Sequence, residues 1–319
     1  MSAKPLEFEK PIYELEAELS KLRTKSEEKG IDLDTEINAL ESKLDALKQD
    51  VYGDLSPWQR VQISRHTDRP FMLEYVNLAF EDFIELHGDR HVGDDHAMPA
   101  GFATIGGIKC VVVGHQKGRD TKENLKRNFG SAHPEGYRKA LRVMKMAERF
   151  NLPIVAMIDT PGAFPGIGAE ERNIAEAIAY NLKEMMLLKV PVIAVVLGEG
   201  GSGGALGIGI ADKVVMFENA YYSVISPEGC AAILWKHRKH APEAAEALKL
   251  VGPDLKALDL IDEVIDEPRG GAHRNHEVAA DSLKEVLVRN IQELQKMSAE
   301  ELLDHRYNKF RKYGEWAEA

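Results

Sequence analysis

The apolar run at 190–197, Val-Pro-Val-Ile-Ala-Val-Val-Leu, breaks off into Gly-Glu-Gly-Gly-Ser-Gly-Gly-Ala-Leu over 198–206. A buried strand therefore feeds a segment whose backbone amides carry almost no side chains to cover them. Glycine tolerates positive φ and lets a ligand come close, so such a segment can bring N–H groups up to a bound oxygen. A second run behaves alike. Residues 153–158, Pro-Ile-Val-Ala-Met-Ile, lead into Asp-Thr-Pro-Gly-Ala-Phe-Pro-Gly-Ile-Gly over 159–168. Two strand ends of this kind, each with a helix behind it, predict a site that stabilises negative charge on an oxygen through backbone amides.

The rest of the chain frames that site as an α/β core with helical extensions. Ile12, Leu15, Leu19 and Leu22, then Leu33, Ile37, Leu40, Leu44, Leu47 and Val51, mark two helical stripes broken near Gly30, most simply an antiparallel hairpin. Helical spacing continues irregularly over 52–87, through Tyr75, Leu78, Phe83 and Leu86. Gly106-Gly107 between apolar runs predicts a β-hairpin. Further expectations are a helix over 136–150, strands at 153–158 and 190–197 with a helix at about 170–188 between them, a strand at 213–217 and another near 221–225. Ser226 and Pro227 then start a helix, and from about 275 one helix runs to Tyr313. The expected division is 1–87 helical arm, 88–268 core, and 269–319 helical extension.

With 319 residues, 44% of them hydrophobic, the chain can bury a large core. Its net charge of −11 argues against nonspecific nucleic-acid binding as the main task. Cys110 and Cys230 form no CxxC pair, so neither a zinc ribbon nor a disulfide framework is indicated. No run reaches the length of a membrane span and the start lacks the pattern of a signal peptide, so a cytoplasmic location is expected.

Several motifs compete for the glycine-rich segment. Gly198 to Gly203 satisfies GxGxxG, with Glu218 near the place of a ribose-binding acid, but the following helix is short and interrupted by Gly207 and Gly209. Gly200-Gly-Ser202-Gly-Gly204 matches GxSxG, and His237, His240, His273 and His276 follow as partners of a nucleophile, with Asp254 among the acids. The extra glycines remain unexplained by a nucleophile elbow. Asp159-Thr-Pro-Gly162 matches DxxG, yet no GxxxxGK[ST] accompanies it. His87, His91, Asp89, Asp94 and Asp95 have the makings of a metal site or of a polar surface loop. Lys117, Arg119, Lys122, Lys126 and Arg127 form a basic patch, readable either as a phosphate contact or as a solvated face paired with Asp120 and Glu123.

Longer strings point to a family. Residues 6–16 (Leu-Glu-Phe-Glu-Lys-Pro-Ile-Tyr-Glu-Leu-Glu), 114–119 (Gly-His-Gln-Lys-Gly-Arg), 128–130 (Asn-Phe-Gly), 134–142, 158–166, 168–172, 198–206, 223–231 and 270–275 (Gly-Gly-Ala-His-Arg-Asn) together cover almost the whole chain. By these strings the chain resembles the α subunit of the bacterial multi-subunit acetyl-CoA carboxylase carboxyltransferase. One departure is Phe164, where the family usually has Tyr.

The resemblance implies a crotonase-type fold, a spiral of ββα units. It implies transfer of CO₂ from carboxybiotin, borne by a biotin carboxyl carrier protein, to acetyl-CoA, giving malonyl-CoA for fatty acid synthesis. The implied partners are a carboxyltransferase β subunit in an α₂β₂ heterotetramer, with a zinc ribbon in β and no metal in this chain, the carrier protein and biotin carboxylase. Gly203 and Gly204 map to the amide pair that serves the biotin oxygen. The Gly166-Ile167 turn is the expected second donor, and Gly200, Gly201 and Phe164 are expected on the biotin side. Two oxyanions on two substrates call for two donor sets, and no side-chain base is needed if the biotin oxyanion itself takes the acetyl proton. Asp159 and Glu199 are then loop-shaping residues. The competing reading is a self-sufficient crotonase-type hydratase, isomerase or hydrolase, which would supply its own acid and base carboxylates.

Overall fold

A computed structural model describes residues 5–314. The two leucine stripes form the expected hairpin, α1 (Lys10–Lys29) and α2 (Asp34–Gly53), with Gly30 in the left-handed region at the end of α1. Ile12, Leu15, Leu19 and Leu44 close a small core of their own between the two helices. The hairpin is tied down at its start. Glu9 accepts hydrogen bonds from Tyr52 Oη (2.9 Å) and the Leu6 amide (3.0 Å), and lies 3.2 Å from His273 Nε2.

Two short helices follow, α3 (Pro57–Ser64), opened by a Ser56–Gln59 capping box, and α4 (Met72–Ala79). The helical pattern expected through Phe83 and Leu86 stops there. Phe80 is extended, Asp82 has φ 53°, and residues 81–85 form strand β1 (Glu81–Glu85). The exposed edge of the next hairpin offers β1 a partner, and sheet pairing overrides the local spacing.

That hairpin is β2 (Ala100–Ile105) and β3 (Ile108–Gly114), joined at Gly106 and Gly107, both with positive φ as a tight turn of this kind needs. Helix α5 (Thr121–Lys126) and the long α6 (Pro134–Arg149) lead to β4 (Ile154–Thr160). Then come α7 (Ile167–Glu171), α8 (Ile174–Met186), β5 (Val192–Gly201), the short α9 (Ser202–Leu206) and β6 (Lys213–Phe217). After β7 (Tyr221–Ser223), helices α10 (Pro227–Leu234), α11 (Ala241–Leu248) and α12 (Gly252–Ala257) precede β8 (Glu263–Ile265).

The sheet order is β1-β2-β3-β4-β5-β6-β8, antiparallel from β1 to β3 and parallel from β3 onward. Every residue of β4 and β5 is buried, as strands covered on both faces must be. β5 does not end at 197 as expected. It runs on to Gly201 because β7 pairs with its end, Glu199 with Tyr221, Gly200 with Tyr222 and Gly201 with Ser223. Part of the expected loop is therefore strand.

The C-terminal helix is also two elements, α13 (His276–Leu294) and α14 (Ala299–Arg311). Ser298 caps the second through a Ser298–Glu301 capping box. Arg306, wholly buried, fastens α14 to the core through the Asp212 carboxylate and the carbonyls of Met185 and Leu188.

Candidate active site

The two strand ends lie side by side. Thr160 pairs with Gly200, and the chain then turns at Gly162, with φ 152°. A Cβ at Gly201 would stand 2.3 Å from the Pro161 carbonyl oxygen, and one at Gly204 would stand 2.4 Å from the Ala163 nitrogen. Glycine is needed at these positions because two backbones touch. Positive φ is not the reason: within 198–206 only Ser202 has it, at 52°.

Helix α9 starts at that Ser202, so the amides of Ser202, Gly203 and Gly204 belong to its first turn, where no intrahelical acceptor is available. Gly203 is half-buried, and a Cβ there would meet only Ile178 Cδ1, at 3.9 Å. Gly166 caps α7 and accepts the Ala169 amide (2.9 Å), leaving the Ile167 amide in the first turn, while the Ile167 side chain is 79% exposed. Phe164 folds back on its own turn. Its ring lies 4.2 Å from that of His133 and 2.4 Å from where a Cβ on Gly166 would stand, and its amide donates to the Ala132 carbonyl. Gly200, Gly201 and Gly204 thus gather against 160–163, with Gly203 towards Ile178, whereas Phe164, Gly166 and Ile167 continue the same loop beyond that contact.

Beneath the strand ends lies a charge network. Lys117 Nζ donates to Asp159 Oδ1 (2.6 Å) and Glu199 Oε2 (2.9 Å), and Arg65 Nε to Glu199 Oε1 (2.7 Å). Tyr221 Oη also donates to Glu199 Oε1 (2.9 Å), and the Glu199 amide to Asp159 Oδ1 (2.9 Å). Burial alone would raise the Glu199 carboxyl, but the charges and hydrogen bonds of Lys117 and Arg65 overcome it and hold the group at about 2. Lys117 is in turn held above its ordinary value by the two carboxylates, against the opposing effect of burial. Glu199 is therefore held ionised, and both carboxylates are fully engaged by hydrogen bonds. They join β4 and β5 to the loop after β3.

Sequence reasoning missed Arg65 and Tyr221 and placed Lys117 in the basic patch. The usable signal was position: Asp159 lies at the carboxyl end of a parallel strand and Lys117 just beyond one, where sites in such sheets collect. The remainder of the patch is dispersed. Arg119 stacks on Phe71 (4.0 Å) and donates to Glu74 (2.6 Å), and Arg127 donates to the His96 carbonyl (2.8 Å).

Other readings of the sequence resolve in the same way. Asp89 accepts the amides of His91, Val92 and Gly93, Asp94 accepts from Lys139, and Asp95 takes the amides of Ala97 and His133, so these acids build a loop. Glu9, His66 and His273 bring ligand-type atoms within 4.8 Å of one another. The two imidazoles are stacked, with centroids 4.0 Å apart, so their lone pairs run side by side instead of converging. The trio anchors the arm.

Ser202 has the strained φ of a nucleophile elbow, but the histidines weighed as partners are engaged elsewhere. His273 faces Glu9, His276 the Asp68 carbonyl and His240 Glu243, and His237 accepts the Lys239 amide. For the dinucleotide reading, α9 has only five residues and the Glu218 carboxylate accepts from Arg60 and the Glu267 amide. An apolar cavity of about 370 Å³ opens beside α9, walled by Leu206, Ile210, Tyr222, Val224 and Phe310, with Ser202 at its lip.

Comparison with known proteins places this arrangement. Residues 5–314 match the profile of the family described as acetyl co-enzyme A carboxylase carboxyltransferase-like. The chain is 56% identical over 313 residues to the acetyl-coenzyme A carboxylase carboxyl transferase subunit alpha of Geobacter metallireducens, covering 98% of each chain. It is 54% identical over 314 residues to that of Thermus thermophilus, covering 98% of this chain and 99% of the relative. Among solved structures it is similar to transcarboxylase 12S (TM-score 0.59, 19% identity, 76% of this chain and 46% of that one). A malonate decarboxylase heterodimer from Pseudomonas is also similar (TM-score 0.56, 14% identity, 69% and 89%). These structural likenesses concern the fold, which is crotonase-type.

Proposed function

The chain belongs to the family of acetyl-CoA carboxylase carboxyltransferase α subunits, a transferase family, and on that premise we propose that the first turn of α9 is the half of the active site that receives charge from biotin. The group supplied from outside is carboxybiotin on a carrier protein, whose loss of CO₂ leaves negative charge on the ureido oxygen. In this reading the Gly203 and Gly204 amides stabilise that charge, and the Ile167 amide, with Gly166 as its cap, is the second donor. Gly200, Gly201 and Phe164 line the approach.

Carboxybiotin would supply the acceptor for the acetyl proton, so no carboxylate of this chain is needed as the base. The resulting enolate attacks CO₂, forming the new carbon–carbon bond of malonyl-CoA. Donors for the acyl-CoA thioester belong to a β subunit, paired with this chain as α₂β₂ and carrying the zinc ribbon. Biotin carboxylase recharges the carrier, and the whole system is cytoplasmic.

One observation carries the reading. The site offers first-turn amides beside a backbone-to-backbone contact, while both nearby carboxylates are locked in ion pairs. A hydratase or isomerase of the same fold needs a carboxylate free to take up or release a proton. The test is substrate class. With a β subunit and a carboxylated carrier, malonyl-CoA should form from acetyl-CoA, and enoyl-CoA should not be hydrated. Enoyl-CoA hydration or thioester hydrolysis by this chain at a rate comparable to carboxyl transfer would overturn the proposal.

A further inference from the structure

A helix of five residues cannot hold its own direction, since the cost of nucleation is not recovered over so few hydrogen bonds. Something outside α9 must aim its first turn. Two side chains from two other helices grip it. From α6, Tyr137 Oη donates to the Gly204 carbonyl at 3.1 Å. From α8, Asn181 Nδ2 donates to the Gly207 carbonyl at 2.9 Å and to the Tyr137 carbonyl at 3.0 Å. The grip therefore closes on itself: Asn181 holds both the end of α9 and the residue that holds its middle.

The surroundings are shaped to this contact. Tyr137 and Asn181 are buried at 0% and 1% exposure. A Cβ on Gly207 would stand 2.5 Å from the Tyr137 ring, so Gly207 is what lets the ring reach Gly204. The Asn181 Oδ1 atom has no hydrogen-bond partner although it is buried, so this amide is placed for its donor end alone. His115 lies below, wholly buried, with its ring centroid 6.3 Å from that of Tyr137. Burial and the charge of Lys117 hold its pKa at about 3, so the base of the grip stays neutral at working pH.

We infer that Tyr137 and Asn181 are positioning residues for the transfer reaction, fixing the direction in which the Gly203 and Gly204 amides point. The inference rests on the assignment of those amides as charge-stabilising donors. It adds that their aim is imposed by side chains of α6 and α8. Oxyanion donors act only when preorganised, so a loosened helix loses rate while substrate binding elsewhere is preserved.

The test uses the complete complex with its β subunit. Tyr137→Phe, Asn181→Leu and, as a reference, Gly204→Ala are compared with wild type in biotin-dependent decarboxylation of malonyl-CoA. Rates are taken per folded, assembled complex. Tyr137→Phe should lower kcat about tenfold while leaving KM for malonyl-CoA within about twofold, the size expected when a buried carbonyl loses a hydrogen-bond donor. Asn181→Leu should do the same, and the double variant should fall by less than the product of the two, because the contacts share one helix. A purely structural role would reduce the yield or melting temperature of the complex and leave kcat per complex unchanged, and that result overturns the inference. If Gly204→Ala also keeps wild-type kcat, the donor assignment itself is lost. If it loses rate while Tyr137→Phe and Asn181→Leu do not, only the grip is lost.

Discussion

Gly203 and Gly204 are neighbours with the same side chain and different reasons for it. A methyl group at 203 meets ordinary van der Waals space, whereas one at 204 meets the Gly162–Ala163 backbone at 2.4–2.5 Å. Gly203→Ala should therefore fold normally and keep its amide in place, costing less than about threefold in turnover, since its N–H remains available. Gly204→Ala must push α9 away from the loop at 162–163. We expect a loss of about 10²-fold in turnover, the scale of one lost oxyanion donor, together with a lower melting temperature. Equal effects at the two positions, read by turnover and thermal unfolding of the assembled complex, would contradict this account. Ser202 makes the complementary case. Its positive φ resembles that of a catalytic serine, yet no described histidine of the expected four faces it, so Ser202→Ala should keep most of the activity, and a loss of the size seen on deleting a nucleophile would revive the hydrolase reading.

Among the elements, the end of β5 matters most, because it carries Glu199 into the ion-pair network and then delivers α9. Glu199 is held at about 2 against an ordinary 4.5, so its contribution to stability is fully present above pH 4.5 and is lost as pH falls towards 2. Melting temperatures of wild type and Glu199→Gln should differ most at neutral pH and converge only as the pH falls to about 2. A gap that stays constant with pH would show that the carboxylate is not the stabilising form. Legibility at this scale followed the range of the forces. The hairpin at Gly106-Gly107, the strands at 153–158 and 213–217 and the Ser226 cap were readable because local spacing and turn chemistry determine them. β1 and the extension of β5 to Gly201 were not, because each exists by pairing with a strand distant in sequence, β2 and β7 respectively. The break before α14 was missed, although Ser298-Ala-Glu-Glu301 carries its signal, a capping box inside a long apolar pattern. At the site, the glycine pair was visible in sequence, but Arg65 and Tyr221 were not, since only the fold brings α3 and β7 to Glu199.

On the scale of the whole molecule, the chain is one crotonase-type unit with a helical hairpin at one end, and 76% of it matches 46% of its longer solved structural neighbour transcarboxylase 12S. In the proposed reaction charge develops on two substrates, and this chain places its glycine-rich amides around one helix start. Leu206 on that helix and Val224, which wall the same apolar cavity, are exposed at 42% and 77%, and Ile167 at the start of α7 at 79%, apolar side chains suited to being covered by another chain. The central claim is therefore that this chain is half of a site. The measurement that tests it most directly is the rate of biotin-dependent malonyl-CoA decarboxylation by the highly purified chain, alone and after titration with a β subunit. The account predicts no turnover by the chain alone and a rate that rises with added β subunit until the two are equimolar. Robust turnover without any partner would contradict it.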